Sequence, residues 1–148
     1  MCLWNGIVKI AMNTNLIDKL TNFLKPIISF LFPDLKKEEN IKKEISMNMC
    51  ANILGLGNAA TPLGLKAMKS MQKINDKKDR LSDSMMMFVV INTASIQIIP
   101  TTVIAIRNSL GSENPTSIVF PVWIATIAAA VFGIIATKII IKITKKEK

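Results

Sequence analysis

Asn48, Asn52, Asn58 and Thr61, with the glycines Gly55, Gly57 and Gly64, are polar or helix-breaking residues set in a run, 45–65, that carries no charge. A second such group, Asn92, Thr93, Ser95, Gln97 and Thr101, surrounds Pro100 in the uncharged run 84–106. Neutral amides and hydroxyls can read the donors and acceptors of a polar solute, or coordinate a cation such as Na⁺ through oxygen. They cannot relay protons or activate a nucleophile. The chain has no histidine, and all ten acidic residues lie outside the long uncharged runs, so the usual bases are missing there. Asn48, Asn52, Gly55, Gly57, Asn58, Thr61, Asn92, Thr93, Ser95, Gln97 and Thr101 are therefore candidates for holding a solute or an ion. None is a candidate for catalysis, and no enzyme is expected.

Polar residues in such a run need a reason. An unpaired amide in hydrocarbon costs several kcal/mol, and Gly and Pro interrupt helices. Broken backbone is tolerated at membrane depth only where it lines a protein-enclosed cavity. Two discontinuous segments in one chain are also how secondary transporters offer carbonyls and helix ends to a substrate or ion. The alternative is packing alone, with Asn, Thr and Ser bonding between helices while glycines permit close approach. A third possibility fails on context. Gly55-Leu-Gly57-Asn-Ala-Ala60 fits a dinucleotide fingerprint, but no β-branched strand precedes it and Asp76 and Asp79 sit in a lysine-rich loop.

The elements that must position these residues follow from where the charges fall. The 148 residues allow one domain, half of them apolar, with a net charge of +9, a pI near 9.8 and a mean hydropathy of +0.38. Lysines crowd 36–43, 66–80 and 138–148, between and beside three long uncharged runs. Basic flanks beside apolar runs satisfy the positive-inside rule for cytoplasmic loops next to anionic lipid. Nucleic acid is not an expected partner: no basic helix is interleaved with stacking aromatics, and there is no tyrosine. Cys2 and Cys50 form neither a disulfide framework nor a metal spacing.

Along the chain, 1–10 is mostly apolar, too short to span and without a cleavage pattern. It reads as an interfacial helix or as the sequel to an upstream membrane segment. Residues 16–32 place Leu16, Leu20, Phe23, Leu24, Ile27, Ile28 and Leu31 on a helical stripe. This is an amphipathic helix, bent or restarted at Pro26, stopped by Phe32-Pro33-Asp34, and either lying along the membrane face or packed against a partner helix. In 45–65, Asn48, Asn52 and Gly55 share a face, Gly55-Leu-Gly57 ends the first arm, and Thr61-Pro62 is expected to cap the second. Each arm is too short to cross a bilayer and both ends are basic, so a re-entrant broken helix entering from the cytoplasmic side is expected. The run 84–106 is a second discontinuous membrane segment, long enough to cross, and 109–115 is an external turn. Residues 118–137 form an ordinary transmembrane helix with Trp123 near one end, before a cytoplasmic tail. The fold class is thus an all-α integral membrane protein of the cell membrane, in contact with lipid.

The block 52–68, Asn-Ile-Leu-Gly-Leu-Gly-Asn-Ala-Ala-Thr-Pro-Leu-Gly-Leu-Lys-Ala-Met, closely resembles the signature of the spore maturation protein A family of endospore-forming bacteria. So do 92–107, Asn-Thr-Ala-Ser-Ile-Gln-Ile-Ile-Pro-Thr-Thr-Val-Ile-Ala-Ile-Arg, and Gly-Ser-Glu-Asn-Pro-Thr at 111–116. The amphipathic 24–34 fits too. The resemblance implies a multi-pass membrane protein with a single Gate (nucleoside-recognition) domain over 1–148, similar to part of the concentrative nucleoside transporters. Residues 1–35 would be its interfacial part and 45–141 its membrane core. It further implies a role in dehydration of the spore core beside a homologous partner, spore maturation protein B. Family members begin with further membrane helix, so this chain looks short at its N-terminus. If transport is coupled, the expected ion is Na⁺, held by carbonyls freed at 55–58 and oxygens of Thr61, Asn92 and Thr93. No other cofactor is expected.

Overall fold

The computed structural model describes residues 15–94 and 96–146, and every regular element among them is helical. The run 1–10 and Ser95 lie outside the described residues. Helix α1 (Asn15–Leu31) continues through Pro26 instead of restarting there. Its loss of one backbone bond at Pro26 is offset by the burial of Leu24, Ile28 and Leu31 in the core. Phe23, Ile27 and Phe30, on the adjoining face, stay exposed. The helix stops as expected at Phe32, where a short 3-10 turn, Pro33–Leu35, begins.

Helices α2 (Glu39–Ile53) and α3 (Gly57–Lys73) pack along each other as a hairpin. The tip is a Schellman closure: Gly55 N–H donates to the Asn52 carbonyl at 2.9 Å and Leu56 N–H to the Ala51 carbonyl at 2.8 Å. Gly55 adopts φ +72°, the left-handed region that only glycine enters freely. Because the reversal is complete at Leu56, α3 starts at Gly57 and not at Thr61-Pro62, which corrects the expected cap. Thr61 lies inside the helix and returns its hydroxyl hydrogen to the Gly57 carbonyl at 3.3 Å. At the open end of the hairpin Lys66 pairs with Glu44 at 3.4 Å.

Helices α4 (Asp83–Ala94) and α5 (Thr101–Ser109) flank the second break. The two breaks touch. Ile98 N–H donates to the Ile53 carbonyl at 2.8 Å, and Thr101 Oγ1–H to the Gly55 carbonyl at 3.3 Å. Beyond α5, the Nη2 of Arg107 donates to Ser112 Oγ, the Asn114 carbonyl and Ser117 Oγ, which folds the turn before the 3-10 segment Pro115–Ile118.

Helix α6 (Val119–Lys146) packs on α4, where Gly133 leaves room for Val90: a Cβ there would lie 2.9 Å from Val90 Cγ1. Its Trp123 Nε1–H donates to the Ile98 carbonyl at 2.7 Å. Among the described residues this is the one helix long and apolar enough to cross a membrane, over Pro115–Thr144. It outruns the expected 118–137 because lysine continues a helix readily and the apolar residues resume beyond Lys138, whose ammonium lies over the Phe30 ring, 3.5 Å from its centroid.

Two glycines separate the cost of conformation from the cost of contact. Gly55 and Gly111 both have positive φ, and an L-residue pays about 1–2 kcal/mol there. At Gly111 a Cβ meets open space, whereas at Gly55 it would lie 2.3 Å from the Ile99 carbonyl oxygen. Thermal unfolding in detergent should therefore fall modestly for Gly111→Ala and by at least twice as much for Gly55→Ala. Equal shifts would show that the two breaks are not held in contact.

Candidate functional site

Asn48 and Asn52 are one turn apart on α2, and Asn92 faces them from α4. Asn48 Nδ2–H donates to the Ala60 carbonyl at 2.8 Å, and Asn92 Nδ2–H to the Phe88 carbonyl at 2.8 Å. Between them Asn52 Nδ2 donates to Asn92 Oδ1 at 2.8 Å and, more weakly, to Asn48 Oδ1 at 3.4 Å. These amides form a ladder that ties α3, α2 and α4 together.

The ladder fixes its own polarity. Backbone carbonyls only accept, so Asn48 and Asn92 must turn their NH₂ groups outward to them and their Oδ1 atoms inward. Asn52 must then use both amide hydrogens on those two oxygens. Among the described residues its own Oδ1 is left as an acceptor without a partner, on a residue that lines an open-sided cleft of about 490 Å³. Asn48 itself is sealed away, at 1% exposure. It fits because Gly64 has no side chain, since a Cβ there would come within 2.9 Å of Asn48 Nδ2.

The cleft is formed by α2, α3, α4 and the start of the second break. Of the residues expected to bind, Asn48, Asn52, Gly57, Thr61, Asn92, Thr93 and Gln97 line it. Gly55 and Thr101 do not. They meet each other where the breaks cross, as hydrogen-bonded structure and not as lining. Asn58 lies in the first turn of α3, its side chain outside the description, as is Ser95. The sequence reading missed Gly64 as a lining residue, although it stands in the same charge-free run, and it missed Phe88, Val89 and Met68, whose apolar side chains give no local signal.

The polar groups offered to the cleft are mostly acceptors. The hydroxyls of Thr61 and Thr93 donate back to the carbonyls of Gly57 and Val89 (3.3 and 2.9 Å), which leaves their lone pairs for a ligand. No described residue lining the cleft titrates near neutral pH. Such a surface suits a neutral solute rich in N–H or O–H donors, or a monovalent cation held by oxygen. The oxygens nearest to that task are Asn52 Oδ1 and the two threonine hydroxyls, because Asn92 Oδ1 and the Gly55 carbonyl already accept bonds.

A family model described as Gate, nucleoside recognition, matches residues 1–110, a span that includes the whole cleft. The chain is 44% identical over 135 residues to spore maturation protein A of Bacillus subtilis (strain 168), covering 91% of this chain and 69% of that protein. No solved structure matches.

The ladder and the cleft wall should respond differently to mutation. Asn48→Ala removes a buried amide and leaves its partners short of bonds, a loss of about 1–3 kcal/mol. Thr61→Val, at an exposed position bonded only to its own helix, should change stability by less than about 0.5 kcal/mol. Thermal unfolding of the two variants in detergent checks the contrast, and equal effects would remove the ladder's structural role.

Proposed function

We propose, for a chain that belongs to the spore maturation protein A family and carries its Gate domain, that the cleft binds a small polar solute and moves it, or gates its movement, during dehydration of the spore core. The coarser statement stands on homology: this is a sporulation membrane protein of a transporter-like family. The observation that carries the finer one is Asn52 Oδ1, an acceptor fixed in place by the ladder and left for a ligand. A nucleoside, with ribose hydroxyls and base amino groups, has the complementary donors. Other polyols and amides share that chemistry.

In this reading the hairpin α2–α3 is re-entrant from the cytoplasmic side. The Glu44–Lys66 contact supports it, because it joins the two basic ends of the hairpin. Helices α4 and α5 form a broken crossing, α1 lies along the membrane face with Phe23 and Phe30 toward lipid, and α6 spans, leaving the basic tail cytoplasmic. The homologous spore maturation protein B is the proposed partner and closes the open side of the cleft. Coupling, where movement is driven, uses Na⁺ and not protons, since only neutral oxygens line the site.

A second reading has a specific observation behind it. The ladder joins three helices, which is what a packing role alone would require of a membrane scaffold. Asn52→Leu distinguishes the two, with assembly and protein level checked first. Spores of a strain carrying an assembled Asn52→Leu protein should have the wetter, less dense cores of a deletion strain. Dense cores from that strain would overturn the solute reading and leave the scaffold.

Topology has its own check. Single cysteines placed near Lys43 and Lys69 should label from the same, cytoplasmic, face of the membrane. Labelling from opposite faces would sink the re-entrant hairpin.

A further inference from the structure

A separate pocket of about 300 Å³ lies where the end of α1, the Pro33 turn, the first turn of α4 and the last turns of α6 converge. Three features of its wall point to a ligand. Ser84 is 4% exposed, and among the described residues its Oγ has no hydrogen-bond partner. Buried hydroxyls are nearly always paired, so an unpartnered one on a pocket wall marks a place for a polar ligand atom. Lys138 and Lys142, one turn apart on α6, line the same pocket, and among the described residues neither ammonium meets a carboxylate at ion-pair distance. Asp34, across the pocket, likewise makes no ion pair among them.

Lys138 rests over the Phe30 ring, but with no ion pair made by Lys138, Lys142 or Asp34 among the described residues, the pocket suits a ligand that carries both signs. The remaining wall is Asp83, which is engaged in a contact of its own, and apolar side chains that include Phe30 and Met87. The pocket stands beside the end of the apolar stretch Pro115–Thr144, and lysines at such a helix end extend toward head groups. A purely anionic head group would bring its charge against Asp34. A zwitterionic one satisfies both sides.

We propose that this pocket holds the head group of an aminophospholipid, phosphatidylethanolamine in kind. Its phosphate lies between Lys138 and Lys142 and accepts from the Ser84 hydroxyl, its ammonium donates to Asp34, and Phe30 and Met87 flank the glycerol end. The inference rests on the membrane location of α6 and is independent of the solute cleft.

The full-length protein in detergent, titrated with phosphatidylethanolamine, phosphatidylglycerol, phosphatidylcholine or inorganic phosphate, tests it by thermal shift and by native mass spectrometry of retained lipid. Phosphatidylethanolamine should give the largest stabilisation and a retained one-to-one adduct. Phosphatidylcholine, whose quaternary ammonium cannot donate a hydrogen bond, should fall well behind. Lys142→Gln, at an exposed position, should melt like the parent without lipid and lose most of the lipid-dependent shift. Asp34→Asn should erase the preference for ethanolamine over glycerol head groups while keeping phosphate-dependent binding. Equal shifts from all lipids, or an Asp34→Asn protein with the preference intact, would overturn the proposal. An equal shift with inorganic phosphate alone would assign the pocket to a soluble anion instead.

Discussion

Backbone groups freed at a helix break must find partners, and in a protein that lives in a bilayer water is not there to supply them. The two breaks of this chain answer that constraint by pairing with each other. Gly55 turns left-handed so that the chain before it caps its own carbonyls. The Ile53 and Gly55 carbonyls that still face outward are taken by Ile98 N–H and Thr101 Oγ1–H from the other break. Trp123 on α6 then covers the Ile98 carbonyl. The close approach this needs leaves no room for a side chain at Gly55. The level of α2, α4 and α6 relative to one another is set at this crossing.

The cleft is a consequence of that registration. With Ile53 bonded to Ile98, Asn52 and Asn92 sit at matching heights before their respective breaks and reach each other at 2.8 Å. The ladder that results packs three helices together, and the binding role proposed for it would fall on a different atom. Asn48 and Asn92 commit their amide hydrogens to backbone, and Asn52 commits its own to its neighbours. What remains is a single fixed carbonyl oxygen beside threonine lone pairs. A site organised in this way discriminates by donor count, since a ligand group that cannot donate leaves a desolvated acceptor unpaired.

The two breaks were legible because Gly55, Gly57 and Pro100 act locally, and the Asn48–Asn52 face because a one-turn spacing is a property of any helix. The start of α3 was not. Thr61-Pro62 is a strong cap pattern, but the closure at Gly55 finishes the turn sooner, and a helix tolerates Pro62 once packing holds it. Of the two outcomes open at Pro26, a bend or a restart, the continuous helix excludes the restart, with Leu24 and Ile28 buried on either side of it. The crossing of the breaks joins residues more than forty positions apart (Thr101 to Gly55, |i−j| = 46), which no local pattern encodes. Gly64 read as a helix breaker, yet its use is spatial, as the vacancy that admits Asn48.

The hairpin is fastened differently at its two ends, and desolvation explains the division. At the open end the ties are ionic: Glu44 with Lys66, and the Lys42 ammonium with Glu39 and the Lys36 carbonyl. Nearby, the Lys78 ammonium covers the Gln72 and Lys73 carbonyls at the end of α3. Lys66 and Glu39 keep contact with water there, whereas Lys42 and Glu44 are largely buried and rely on their ion pairs and on the Lys36 carbonyl. At the tip every tie is neutral, because an ion pair carried to that depth would lose several kcal/mol per charge. Neutral amides lose less and, once paired, hold a unique geometry. The lack of titratable groups in the cleft is then not an accident of composition. It follows because the polar lining of the cleft comes from the uncharged runs 45–65 and 84–106.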